Sequence, residues 1–291
     1  FDNMVSCAKH GFDDIIPVAF YEDDKFLQAA GVNAIPDMFA AGNLSITQFR
    51  ISPLIRHIGY GAFMRCSLLL NINFAENGIE KHSNTLSLGP FAFFECVSLE
   101  HVGLPERCIR IDDGVFSGSG LRDITLSSNL NAVGPYSFCA CNHLKVVDMT
   151  EGNEGIEVEP GAFEHCTLLS IFNAVPTAIK KNAFAECSEL KEITISTPLI
   201  GKSSFKGCRK LSKINIQGKT PRIIDETAFE GCDSLKHIYY DGFSSELRES
   251  DGYWSMVDVM KQNMSSVNDL DTMFKYEKSV HDVLKCLTSD K

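Results

Sequence analysis

The sequence predicts an α/β repeat solenoid with capped ends. Three observations predict it: a phenylalanine-centred pattern recurs eight times, each copy closes on an alternating apolar segment, and both flanks lack the pattern. The pattern is an aliphatic residue, three others, a small residue, Phe, two others, Cys, two others, Leu, two others, Ile, one other and an apolar residue. Its copies run from Ile58 to Tyr240, anchored on Phe63, Phe93, Phe116, Phe138, Phe163, Phe184, Phe205 and Phe229. A degenerate ninth copy, IPDMFAAGNLSITQFRI, precedes them and puts Phe39 in the anchor position.

Each part of the unit has a physical reason. Leu-x-x-Ile-x-Leu alternates as a short strand does. A unit of about 23 residues holds one such strand and a return path, and it cannot bury its apolar side alone. Stacked copies can, with equivalent strands paired in parallel ~4.8 Å apart. The small residue before each Phe (Ala62, Ala92, Val115, Ser137, Ala162, Ala183, Ser204 or Ala228) suits a tight helical turn that points the next ring inward. Stacked rings then fill the width of the solenoid.

The flanks differ in kind. Residues 1–57 read as an N-terminal cap with one degenerate repeat, because the first open strand edge needs cover. Residues 58–240 hold the eight repeats, and residues 241–291 read as a C-terminal cap. In that cap Tyr253, Trp254, Met256, Val257 and Met260 form an apolar plug. Leu270, Met273, Phe274, Val280, Val283, Leu284 and Leu287 follow in mostly three- and four-residue steps, which predicts an amphipathic helix. That helix either packs on the last repeat or binds a partner or second copy. The insertion AENGIEKHSNTLS, between Phe74 and Leu88, is either a tolerated excursion or a binding loop.

The pattern I-x-x-x-A-F-x-x-C-x-x-L-x-x-I-x-L resembles the BspA-like (treponemal-type) leucine-rich repeats. The resemblance covers residues 58–240 well, 35–57 loosely and the two ends not at all. It implies a curved, right-handed leucine-rich repeat solenoid with a parallel sheet on its concave face. It further implies a surface-exposed or secreted binding protein, often an adhesin of a microbe. The matching positions are the buried ones, so they specify fold rather than partner.

Eleven cysteines are present, and seven share one repeat phase: Cys66, Cys96, Cys141, Cys166, Cys187, Cys208 and Cys232. One Cys per winding gives a column of small buried thiols whose side chains run in parallel, which suits free thiols better than disulfides. Ser119 fills the slot in the shortened third copy. Cys139, Cys141 and His143, with His165 and Cys166 one winding on, lack the paired spacing of a zinc site, so no metal and no cofactor is expected. No G-x-S-x-G, H-E-x-x-H, phosphate-binding loop or dinucleotide fingerprint occurs, so the chain reads as a non-enzyme. The charge of 27 − 38 = −11 argues against generic nucleic-acid binding, and no apolar run is long enough to span a membrane. Asn43 and Asn263 lie in Asn-x-Ser sequons. The chain starts at Phe1 without a basic-then-apolar leader, as a processed or trimmed chain does.

In each strand the residues on either side of the Ile face away from the core. The predicted face therefore presents Asn71, Asn73, His101, Gly103, Asp123, Thr125, Val146 and Asp148. It continues through Ile171, Asn173, Glu192, Thr194, Lys213, Asn215, His237 and Tyr239. Regular spacing suits a protein or an extended peptide better than a small molecule. The expected role is binding at or outside a cell surface, with adhesion or protein recognition as its form. The alternative is an intracellular scaffold or assembly subunit that uses this face or the C-terminal helix.

Overall fold

The computed structural model describes residues 33–74, 85–149, 155–196, 199–217, 223–225, 227–235 and 237–240. Residues 75–84 of the insertion, the plug and the predicted helix at 270–287 lie outside them. Each winding carries two short strands. The first holds β1 (Ala34–Ile35) and β2 (Gln48–Ile51), the second β3 (His57–Ile58) and β4 (Asn71–Phe74), the third β5 (Leu86–Leu88) and β6 (His101–Gly103). Next come β7 (Cys108–Ile111) with β8 (Asp123–Leu126), β9 (Ala132–Val133) with β10 (Val146–Met149), and β11 (Ile156–Val158) with β12 (Ile171–Phe172). The last windings hold β13 (Pro176–Ile179) with β14 (Glu192–Ile195), β15 (Leu199–Ile200) with β16 (Lys213–Ile216), and β17 (Ile223–Ile224) with β18 (His237–Tyr240).

All odd-numbered strands join one nine-stranded sheet, and the even-numbered strands form a sheet from β2 to β12 and a second from β14 to β18. Every pairing is parallel, as between β8 and β10 or β14 and β16. The expectation of one strand per unit is thus corrected to two. The residues around the opening aliphatic position are also extended, because their amides and carbonyls find partners in the adjoining windings.

Among the described residues there is no helix. The small-Phe segment is a hydrogen-bonded turn, not the expected helical one. Left-handed residues stand two before and two after the ring, as Gly61 and Arg65 do around Phe63 and Gly161 and His165 around Phe163. Two such reversals aim the ring inward without a helix. The α part of the α/β expectation therefore finds no element within the described residues.

The anchoring rings form one column. From Phe63 through Phe93, Phe116, Phe138, Phe163, Phe184 and Phe205 to Phe229, successive centroids are 5.1–5.4 Å apart and the rings lie within 11° of parallel. The first winding departs from the prediction: its anchor position holds Ala40, not Phe39. The Ala40 amide bonds the Ala62 carbonyl as the Phe63 amide bonds that of Ala92. Phe49 takes the strand position that Ile72 holds in the next winding, and its ring sits 4.7 Å from that of Phe63. In this winding the large strand residue faces a small anchor, Ala40.

Phe172 is the other phenylalanine at that strand position. Its ring stands edge-on to both Phe163 (5.3 Å) and Phe184 (5.0 Å), at 81° and 87°. Here the anchor keeps its full ring, and the relief comes from Ala174 where other copies have Leu104, Leu126 or Ile195. The even-strand sheet is interrupted at this place, between β12 and β14, while β11, β13 and β15 stay paired. The edge-on ring thus belongs to the last even strand before the interruption, while the odd-strand side stays closed.

Candidate recognition surface

The even-numbered strands place the predicted face residues in two columns. Asn71, His101, Asp123, Val146 and Ile171 follow one another in register, and Asn73 and the run Gly103, Thr125, Asp148 stand beside them. Beyond the interruption Glu192, Lys213 and His237 continue the first kind of position, and Thr194, Asn215 and Tyr239 the second. For His237 and Tyr239 the described feature is this backbone register. The alternating residues Ile72, Val102, Ile124, Val147, Ile193 and Ile214 are buried, which fixes the outward direction of their neighbours.

Side chains on this face are tied across windings. His101 Nδ1 lies 2.6 Å from Asp123 Oδ2, and Arg122 reaches Glu100 at 3.0 Å. Asn173 Nδ2 donates to Asp148 Oδ1 at 2.5 Å, Asn215 Nδ2 to Thr194 Oγ1 at 3.4 Å, and Lys213 lies 3.8 Å from Glu192. Such pairs hold an exposed polar surface in one geometry and lower the ordering cost of binding. Val146 and Ile171 form an apolar spot on this face: these two are register partners, and Ile171 is 45% exposed.

Two residues absent from the prediction extend the face. Gln48 pairs in register with Asn71 and Arg50 with Asn73, and both are exposed. The signal was available, since Gln48-Phe49-Arg50-Ile51 alternates within the degenerate copy, but its Phe at the Ile position hid the frame.

The cysteine column has a function beyond filling space. In all seven cases the thiol donates to the anchor carbonyl of the preceding winding at 3.0–3.1 Å, from Cys66 onto Ala40 to Cys232 onto Phe205. Burial pushes the Cys66 thiol up to about 11 and that of Cys141 up to about 12. Cys166 is raised well above the ordinary value for the same reason. Protonated, buried and aimed at carbonyls, these thiols are poor ligands and poor nucleophiles. Among the described residues no three His, Cys, Asp or Glu side chains converge on a metal position, and no helix is long and apolar enough to cross a membrane. Asn43 occupies the cysteine slot of the first winding. It is buried, and its Oδ1 accepts the amides of Ser45 and Ile46. Asn263 lies outside the described residues.

A family model described as BspA type leucine rich repeat region matches six copies, over residues 29–87, 77–176 and 157–251. Among solved structures the chain is similar to a leucine-rich repeat protein of T. pallidum, at 24% identity over 55% of this chain and 72% of that one, with a TM-score of 0.47. A leucine-rich repeat protein from Bacteroides ovatus is 21% identical over 72% of this chain and 64% of that one, at 0.41. The pneumococcal vaccine antigen PcpA is 19% identical over 74% of this chain and 61% of that one, at 0.38. No curated protein matches the sequence. The repeat phase, the stacked rings and the matched span agree, and the chain belongs to the BspA-type leucine-rich repeat family.

Proposed function

We propose that this chain is a non-enzymatic binding protein that recognises a protein or an extended peptide through its even-strand face, at a cell surface or after secretion. The single observation that carries this reading is the pair of register-aligned polar columns, held in place by cross-winding hydrogen bonds. A face with side chains repeated from winding to winding matches a partner that is itself extended and repetitive. In this reading the winding is right-handed, as parallel crossovers almost always are, and the even-strand face is the concave one. Residues 1–57 and 241–291 then close the ends of the eight repeats, and adhesion is the form the binding takes.

Charge reversal tests it. Asp148→Lys and Lys213→Glu change the face without touching the core. Crosslinking pull-downs from the native source are expected to lose their captured protein with the double variant while thermal unfolding stays unchanged. Equal capture by the variant sinks the proposal.

A further inference from the structure

A second surface lies where the odd-strand sheet passes into the phenylalanine turn. Two neighbouring columns run along this rim, and backbone bonds fix their register. Gly61 N–H donates to the Pro90 carbonyl, Phe91 to Asp113, Gly114 to Pro135 and Tyr136 to Pro160. The first column therefore reads Asp37, Tyr60, Pro90, Asp113, Pro135, Pro160, and the second Met38, Gly61, Phe91, Gly114, Tyr136, Gly161. All six residues of the second column have left-handed φ, between 53° and 64°.

Large side chains and glycines alternate there, winding by winding. Each large side chain lies over the glycine that follows it. A Cβ on Gly61 would stand 2.8 Å from Met38 Sδ, one on Gly114 2.5 Å from the Phe91 ring and one on Gly161 2.4 Å from the Tyr136 ring. Glycine is the residue this backbone favours, and bulky aromatics in it are outliers that mark functional positions. Burial does not account for them, since Met38 is 46% and Tyr136 49% exposed, and Phe91 is only half-buried. Tyr60 and Phe91 meet edge-on at 5.8 Å, and so do Phe91 and Phe94 at 5.7 Å, which joins these three rings into one cluster.

We propose that this rim binds a proline-rich segment in the polyproline II conformation, basic at one end. Ridges of aromatic and proline side chains dock such segments because the ligand is already ordered and its backbone is free of internal hydrogen bonds. The dimensions agree. Large side chains recur every second winding, or ~9.6 Å at the spacing of paired strands. A polyproline II turn of three residues advances ~9.3 Å. The charge pattern sets the direction. Asp37 and Asp113 expose carboxylates beside the aromatics, whereas the first column continues past Pro160 as exposed Lys181 and Lys202. The basic end of the ligand lies toward Asp37 and its uncharged end points toward Lys181, with Asp113 between them. This surface is distinct from the even-strand face, and either can fail without the other.

Calorimetric titration of the full chain with a synthetic peptide, Arg-Arg followed by repeated Pro-Pro-Ala, tests the proposal. Saturable binding is expected, weakened about tenfold or more by Tyr136→Gly and by Phe91→Gly. Both variants relieve a left-handed backbone, so circular dichroism and thermal unfolding remain as in the parent. Asp113→Asn and added salt weaken binding further. The absence of saturable binding, undiminished binding by both glycine variants, or equal affinity for an Ala-for-Pro control peptide each overturns it. So does a neutral polysaccharide that binds the parent and not Tyr136→Gly while the peptide binds neither, since the rings then serve as a sugar platform.

Discussion

A thiol is the side chain that meets two demands of this core at one position. Each anchor carbonyl already accepts the amide three residues on, as Phe163 does from Cys166, and has a second lone pair facing the next winding. The following cysteine satisfies it with Sγ–H, as Cys187 does for Phe163 at 3.1 Å. A valine would fill the slot and leave that acceptor without its second donor. The same burial makes stability depend on pH in a definite sense. Cys141 is raised to about 12, against roughly 8.5 for an unfolded thiol. Its folded pKa lies above its unfolded one, so the contribution is complete below the unfolded value and is lost as pH climbs toward the folded one. Between these limits the unfolded chain ionises first, and each such thiol costs about 1.4 kcal/mol of stability per pH unit. Urea unfolding at a series of alkaline pH values should therefore give a steep fall for the parent and a slope shallower by about that amount for Cys141→Ala. Identical slopes would show that Cys141 ionises as readily folded as unfolded. The sequence made the column legible, because a shared phase tells which side chains turn inward. It did not make the donor role legible, because phase does not say which atom a side chain meets.

At the scale of elements, the even strands were readable and the odd ones were not. Four residues such as Asp123–Leu126 alternate long enough to show a period, whereas His57–Ile58 or Ala132–Val133 are too short to show any. Their pairing comes from the stack itself, which lays equivalent backbone side by side. The interruption at β12 was illegible for another reason: Phe172 satisfies the apolar pattern and departs only in volume. Volume decides here. A ring edge-on to two stacked rings needs more room than the aliphatic residue of most other windings, and Ala174 returns part of that space. Strands β12 and β14 each lack a ladder on one side, so their amides open more readily than those of β8 and β10, which are paired on both. Hydrogen exchange followed by mass spectrometry should find peptides covering 171–172 and 192–195 exchanging faster than those covering 123–126 and 146–149. Phe172→Ile removes the edge-on ring and should slow exchange at 192–195. Uniform protection along the parent's even strands would dismiss that role for the ring.

Over the whole molecule, stability is a chain of nearest-neighbour couplings, and its weakest link sits at that interruption. The link is not severed, since Phe163 and Phe184 remain stacked at 5.4 Å and β13 pairs with both β11 and β15. It is one ladder poorer than the others. The charge distribution changes across it as well: residues 175–217 hold eight Lys and Arg against three Asp and Glu in a chain whose net charge is −11. The two halves of the solenoid thus differ in charge, and one ladder fewer joins them. Removing one ring from the column costs about 3–5 kcal/mol. Placed beyond the interruption, as Phe205→Ala, that loss falls on the windings around β14–β18, while the windings before β12 keep their full stack. Exchange measured across a urea series should then show segments 192–217 losing protection at lower urea than segments 101–149. Phe93→Ala should reverse the order, because the loss moves to the other side of the weak link. If both segments melt together in both variants, coupling through the odd-strand sheet and the ring column outweighs the missing ladder, and the solenoid unfolds as one unit.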